Sequence, residues 1–206
     1  MQLSRNSALI IVDMQNGFCH ENGFMNKIGL DWTTSRDAVE PVKRLAQAAR
    51  AAGLPVFYTR YALNPDYSDA GLLPEIHPQI VEVGGMVRGT WDGDIVDELA
   101  PEPGDRVIDK TRYSAFYDTT LEQQLRDLGV DTAIVCGVTT NVCVESTVRD
   151  AFFRDFRIVV PSDATAAVSA DLHEGALNDF RYAFGTVLET AELEEAIRAC
   201  AAAVAQ

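Results

Sequence analysis

Positive charge is scarce in this chain. Its 206 residues hold 17 Lys and Arg against 31 Asp and Glu, a formal net charge of −14 at pH 7. Nucleic acid and anionic membrane surfaces both need clustered Lys and Arg, so neither is an expected partner. Long apolar runs are missing too. The first one, residues 8–12, is broken at once by Asp13, and no later run is long enough to cross a bilayer. Cysteine is sparse: Cys19, Cys136, Cys143 and Cys200 form no C-x-x-C pair and are too few for a disulfide scaffold. These absences lead us to expect a cytoplasmic protein with reduced thiols. The three histidines, His20, His77 and His173, share no metal-ligand spacing, so no metal is expected. A G-x-G-x-x-G after the first apolar run, a P-loop and a G-x-S-x-G are all absent, and no cofactor is expected.

What the chain does have is ordinary globular composition, 47% hydrophobic, and enough length to bury a core. Short apolar runs alternate with amphipathic ones. Residues 8–14 (ALIIVDM), 55–60, 106–109, 132–137, 157–160 and 186–188 read as strands. Residues 35–52, 119–128, 141–154, 170–184 and 192–204 read as helices. Gly53 stops the first of these. Pro41 lies in its first turns or kinks it. Thr119 and Glu122 form a capping-box pattern, and Ser169 is a candidate N-cap. The alternation predicts an α/β protein with a parallel sheet and helices on both faces. In residues 61–102, Pro65, Pro74, Pro78, Gly84, Gly85, Gly89 and Gly93 break all periodicity, which suits a lid or binding segment. No repeat or linker divides residues 1–206, so they are read as one domain.

Ligands of an open parallel sheet bind beyond the carboxyl ends of its strands. Strand one ends there at Asp13, strand three at Asp109–Lys110, and strand four runs through Gly137 into Thr139–Cys143. Taken singly, an Asp after a strand caps a loop, a Lys is a surface cation and a Cys is a small hydrophobe. Their meeting on one edge points instead to chemistry. Cys143 falls in the first turn of a predicted helix, where free N–H groups and a nearby Lys lower a thiol pKa. Asp13 is placed to accept the thiol proton, and Lys110 to hold Asp13 ionised. The N–H groups of Thr139 and Cys143 would form an oxyanion hole. Cys136 lies mid-strand and Cys200 in an alanine-rich helix. Cys19, in a loop, is the one rival nucleophile. The histidines read as loop and surface residues.

At these positions the sequence resembles the isochorismatase-like cysteine hydrolases. The resemblance is carried by ALIIVDMQNGF (residues 8–18), by residues 109–151 and by VVPSDATAA (residues 159–167). Three motifs are specific: Asp13-x-Gln15-x-x-Phe18, Lys110-x-x-x-Ser114-Ala115-Phe116 and Gly137-Val138-x-Thr140-Asn141-x-Cys143-Val144. The resemblance implies a three-layer α/β/α fold around a six-stranded parallel sheet. It makes Asp13 the general base, Lys110 the third catalytic member and Cys143 the nucleophile. It also implies a cis peptide at Val138–Thr139 and a homodimer or homotetramer.

Two departures narrow the substrate. Nicotinamidases of the family carry an Asp and two His after strand two, where this chain reads Tyr58–Thr59–Arg60–Tyr61–Ala62–Leu63. Isochorismatases often lack the cysteine that stands here at Cys143. An amide, ureide or carbamoyl small molecule is therefore favoured, because the segment around Cys143 is similar to that of ureidoacrylate, biuret and N-carbamoylsarcosine amidohydrolases. A streptothricin-type cyclic-amide hydrolase, a vinyl-ether hydrolase and a silent binding or assembly subunit are the rivals. Phe18, Trp91 and Phe116 are candidate pocket walls, with core packing the alternative for Phe18 and Phe116. Arg60 is a candidate for a substrate carboxylate or, equally, for pairing with a surface acid.

Overall fold

The computed structural model describes residues 3–202. Strands β1 (Ser7–Val12), β2 (Val56–Tyr61), β3 (Arg106–Lys110), β4 (Thr132–Val138), β5 (Arg157–Pro161), β6 (Thr165–Ala166) and β7 (Thr186–Leu188) alternate with helical segments. They form one parallel sheet in the order β3-β2-β1-β4-β5-β7, and the two-residue β6 joins the end of β4. The expected six strands form this path, with β6 as a short addition. The chain winds outward from β1 in one direction and from β4 in the other. The β1–β4 seam is therefore the point where strand order reverses, and a crevice opens there at the carboxyl ends.

Every residue of β1 and β4 is buried, as strands covered on both faces require. Helix α4 (Val39–Ala51) packs on β1, β2 and β4 and on the closing helix α10 (Thr190–Ala202). Its buried Val39, Val42, Leu45, Ala46 and Ala49 form one stripe at helical spacing. Arg44 ties the two helices through a bidentate contact with Glu194, at 3.0 and 2.7 Å. Helix α8 (Glu145–Phe152) lies on β4 and β5.

The structure redraws several expected boundaries, and each change has a local cause. The helix expected over 35–52 is two, Thr33–Asp37 and Val39–Ala51, joined at Ala38. Pro41 has no N–H and its ring clashes with the carbonyl four residues back, so a continuous helix is disfavoured; a start at Val39 puts Pro41 in the first turn, where no partner is needed. The helix does end at Gly53, whose φ is +71°. Residues 141–154 open with a wide turn, Thr140–Val144, in which Val144 N–H bonds Thr139 O five residues back at 3.1 Å. Residues 170–184 form helix α9 (Ala170–Asp179), capped by Ser169, followed by a second wide turn at Phe180–Phe184. The capping box does not form. The helix is Leu121–Asp127; Thr119 Oγ1 accepts from Leu121 N–H at 3.2 Å, and Glu122 turns to Arg154 at 2.8 Å. Val204, the expected end of the last helix, lies outside the described residues.

Residues 61–102 hold two single-turn helices, Leu73–Ile76 and Gln79–Glu82, and two 3-10 turns, Trp91–Gly93 and Asp97–Leu99. Among the described residues, no helix is long and apolar enough to cross a membrane.

Candidate active site

The strand ends deliver three side chains to one point. Asp13 follows β1 at φ +53°, a strained value for a residue with a side chain, and is fully buried. Its Oδ1 accepts a 2.7 Å hydrogen bond from Thr59 Oγ1, and its Oδ2 lies 2.6 Å from Lys110 Nζ. Lys110 ends β3. Its ammonium donates to Arg112 O at 3.0 Å and sits 4.4 Å from the Tyr61 ring centroid. Cys143 is buried beside both, and its thiol interacts with the Asp13 carboxylate and the Lys110 ammonium.

The turn that carries Cys143 is fixed from several sides. Gly137 has φ +103°, and a Cβ there would lie 2.1 Å from Val12 O, so only glycine lets β4 pass β1 this closely. The Val138–Thr139 peptide that follows is cis. Thr147 Oγ1 donates to Cys143 O at 2.7 Å and accepts from Ala115 N–H at 3.0 Å, which joins the loop after β3 to the cysteine turn. Thr165 Oγ1 donates to Gly137 O at 2.8 Å, Thr140 Oγ1 lies 3.0 Å from Thr165 Oγ1, and His173 Nδ1 lies 2.9 Å from Thr140 Oγ1. Since Thr165 donates to the carbonyl, the Thr140 hydroxyl donates to Thr165 and His173 presents Nδ1–H to Thr140. His173, read from the sequence as a surface residue, is half-buried and belongs to this network. Burial pushes its pKa down.

The electrostatics of the thiol differ from the sequence expectation. Burial pushes the Cys143 pKa up, outweighing the lowering by Lys110, and Asp13 adds to the rise. Burial therefore favours the neutral form of the thiol. Cys19, the expected rival, lies in the short helix Asn16–Cys19 rather than a loop, and burial raises its pKa to about 12. Cys136 is fully buried and its pKa is likewise raised. Neither lines the cavity that reaches Cys143.

That cavity has a volume of about 320 Å³. Phe18, Thr139 and Cys143 line it, as expected. The other three pocket candidates do not. Arg60 pairs with Asp109 at 2.8 Å, its partner in β3, because alternation along β2 sends the next residue, Tyr61, to the cavity instead. Phe116 is packed in the core, 5.9 Å from the Phe156 ring and under Arg154. Trp91 stands edge-on to His20 at 4.9 Å and lines a separate cleft with Trp32 and Arg36.

Most of the walls that sequence reasoning missed come from two segments, residues 24–30 and 73–86. Phe24 and Met25 lead one of them, Ile80 and Met86 the other. A buried carboxylate joins them: Asp92 accepts from Phe24 N–H through Oδ1 and from Met86 N–H through Oδ2, both at 2.9 Å. Gln15 pins the same region to the sheet, accepting from Tyr61 N–H at 2.7 Å and donating to Gly93 O at 2.7 Å. The glycine before Met86 was legible as a break in periodicity, but nothing local showed the helix over 79–82 or which side chains turn inward. Among the described residues, no three His, Cys, Asp or Glu side chains gather as a metal set.

Comparison with known proteins places this geometry. The family model for the isochorismatase domain matches residues 7–192. A ureidoacrylate amidohydrolase of Methylorubrum extorquens is 38% identical over 209 residues, covering 93% of this chain and 82% of that protein. The crystal structure of a cysteine hydrolase from Pseudomonas syringae pv. phaseolicola superimposes with a TM-score of 0.89 at 35% identity, covering 97% of this chain and 96% of that one. An N-carbamoylsarcosine amidase from Thermoplasma acidophilum superimposes with a TM-score of 0.75 at 30% identity, covering 92% of this chain and 97% of that one.

Proposed function

The chain belongs to the isochorismatase family, and from that membership we propose that it is a metal-independent cysteine hydrolase of small molecules, cleaving a C–N amide, ureide or carbamoyl bond. The observation that carries the reading is the burial of Asp13, Lys110 and Cys143 together, with Cys143 lining one cavity. The amidohydrolase relatives support the same reaction class.

In this reading the substrate carbonyl seats over Cys143. Asp13 takes the thiol proton as sulfur forms its bond to the carbonyl carbon. The cluster begins as carboxylate, ammonium and neutral thiol, and becomes carboxylic acid, ammonium and attacking thiolate. Its net charge does not change, and Lys110 pairs the negative charge at either end of the transfer. The N–H groups of Thr139 and Cys143 receive the developing oxyanion. Collapse of the tetrahedral species breaks the C–N bond, and the leaving amine takes the proton from Asp13. Water, deprotonated by Asp13, then attacks the acyl- or carbamoyl-enzyme, and the thiol is restored.

The reading carries a cytoplasmic setting, in which the free cysteines stay reduced, and a homodimer or homotetramer. Its test is ammonia or amine release from small amides and ureides by the purified protein, with acid-quenched intact mass to detect the adduct on Cys143. Full activity in Cys143→Ala together with its loss in Asp13→Asn would replace this reading with vinyl-ether-type chemistry.

A further inference from the structure

The cavity above Cys143 has a single chemical character. Phe18, Phe24, Met25, Ile80, Met86 and Val142 set its walls, and among the described residues no Lys, Arg, Asp or Glu lines it. Its polar lining residues are Thr139, Asn141 and Cys143, with Tyr61, Tyr113 and the exposed His77. The Lys and Arg side chains of neighbouring segments have other partners. Lys27 lies 3.9 Å from Asp92, while Arg60 and Arg88 hold Asp109 at 2.8 and 2.7 Å. Arg112 donates to Asp69 O at 2.7 Å and to Thr111 O at 2.8 Å. Lys110 is committed to Asp13 beneath the floor.

A carboxylate in such a space would lose its hydration with no Lys or Arg to receive it, whereas an apolar group would gain by leaving water. Resting on the amidohydrolase reading above, we propose that the group attached to the scissile carbamoyl or carbonyl is uncharged and apolar. Selectivity on this view comes from the aromatic and aliphatic walls. Ureides bearing a carboxylate, such as the ureidoacrylate named for the Methylorubrum relative, are poor substrates for this chain. The volume of about 320 Å³ restricts the group to a small one, at the lower end of the ~300–1,000 Å³ common for ligand pockets.

Matched pairs test this directly. Ureidoacrylate and its uncharged methyl ester form one pair, and succinamate and 4-methylpentanamide the other. Ammonia release gives kcat/KM, and calorimetric binding to Cys143→Ala gives affinity without turnover. The uncharged member of each pair is expected to lead by at least about tenfold in both measurements. Equal or greater preference for the carboxylate member overturns the proposal, as does failure of both members to bind. Tighter binding of the uncharged members to Cys143→Ala with no turnover by the unaltered protein would sink the amidohydrolase reading while leaving the apolar preference standing. Leu30, at the cavity and 39% exposed, offers a substitution that does not disturb the core. Leu30→Arg is expected to narrow the preference by several-fold, by supplying the missing cation; an unchanged ratio of kcat/KM values counts against the proposal.

Discussion

Lys110 Nζ lies 2.6 Å from Asp13 Oδ2, and neither side chain exposes any surface to solvent. A buried pair of this kind stands only while both members are present, because either one alone is an unpaired charge in a low-dielectric interior. Lys110→Met is therefore expected to destabilise the fold by ~3–5 kcal/mol. The double variant Asp13→Asn with Lys110→Met should recover much of that loss. Urea unfolding of the two single variants and the double variant gives the coupling, and simple additivity would show that the two groups do not depend on each other.

Cys143→Ala is expected to lower kcat/KM for any turned-over amide by at least about 10³-fold. The side chain is buried but small, so the unfolding midpoint should shift by only a few degrees. A correctly folded variant that retains most of its activity would remove the thiol from the reaction.

The buried thiols make a pH prediction whose sign is fixed. Cys19, Cys136 and Cys143 all have pKa values raised above their ordinary 9.0 by burial. Below pH ~9 they are protonated in both the native and unfolded chains and contribute nothing to pH dependence. Above it the unfolded chain releases protons that the native chain keeps, so stability falls as pH rises. Each such thiol steepens the fall by roughly 1.4 kcal/mol per pH unit. Tyr58, raised to about 12, and Tyr61, also raised, extend it further. Unfolding free energies measured from pH 7 to 10.5 should be level and then drop. In Cys136→Ala the protein should be weaker at pH 8 but show a shallower drop.

Thr147→Val keeps the volume at the back of the cysteine turn and removes a hydroxyl that serves both Cys143 O and Ala115 N–H. The stranded buried N–H should cost ~1–3 kcal/mol. Because the turn also holds Cys143, the proposed nucleophile, kcat should fall more than KM changes. A Thr147→Ser variant, which keeps the hydroxyl, should regain most of the activity. Failure of serine to do so would mean that the methyl packing, rather than the hydrogen bonds, fixes the turn.

The meeting of the three candidate residues was legible in the sequence because they sit where topology forces them. Asp13, Lys110 and Cys143 follow strands of an open parallel sheet, and the strand runs and their order can be read from apolar patterning. The walls were not legible. Whether Phe116 faces the core or Trp91 a second cleft depends on contacts made far away in the chain, with Phe156 in one case and His20 in the other. Arg60 missed the cavity by one residue, since its neighbour Tyr61 has the inward phase of β2. The thiol pKa misled for a related reason: placement at the start of a helix is a local property, while burial, which outweighed it, comes from the whole fold. Pro41, read as lying in the first turns of a helix or kinking it, lies in the first turn of one that starts at Val39, and Thr119, read as half of a capping box, precedes a helix that starts at Leu121 without that box.

Asp92 joins Phe24 and Met86, two wall segments separated by many residues, through its two carboxylate oxygens. The proposed chemistry resides on strand ends that the sheet holds rigid, whereas these two wall segments lie outside the sheet, joined to each other by Asp92 and tied to it by Gln15. Such a division lets the lining be exchanged as a unit without disturbing the reacting groups. In a fold whose members act on different molecules, that is a route by which a new substrate can be accommodated while the old reaction is kept.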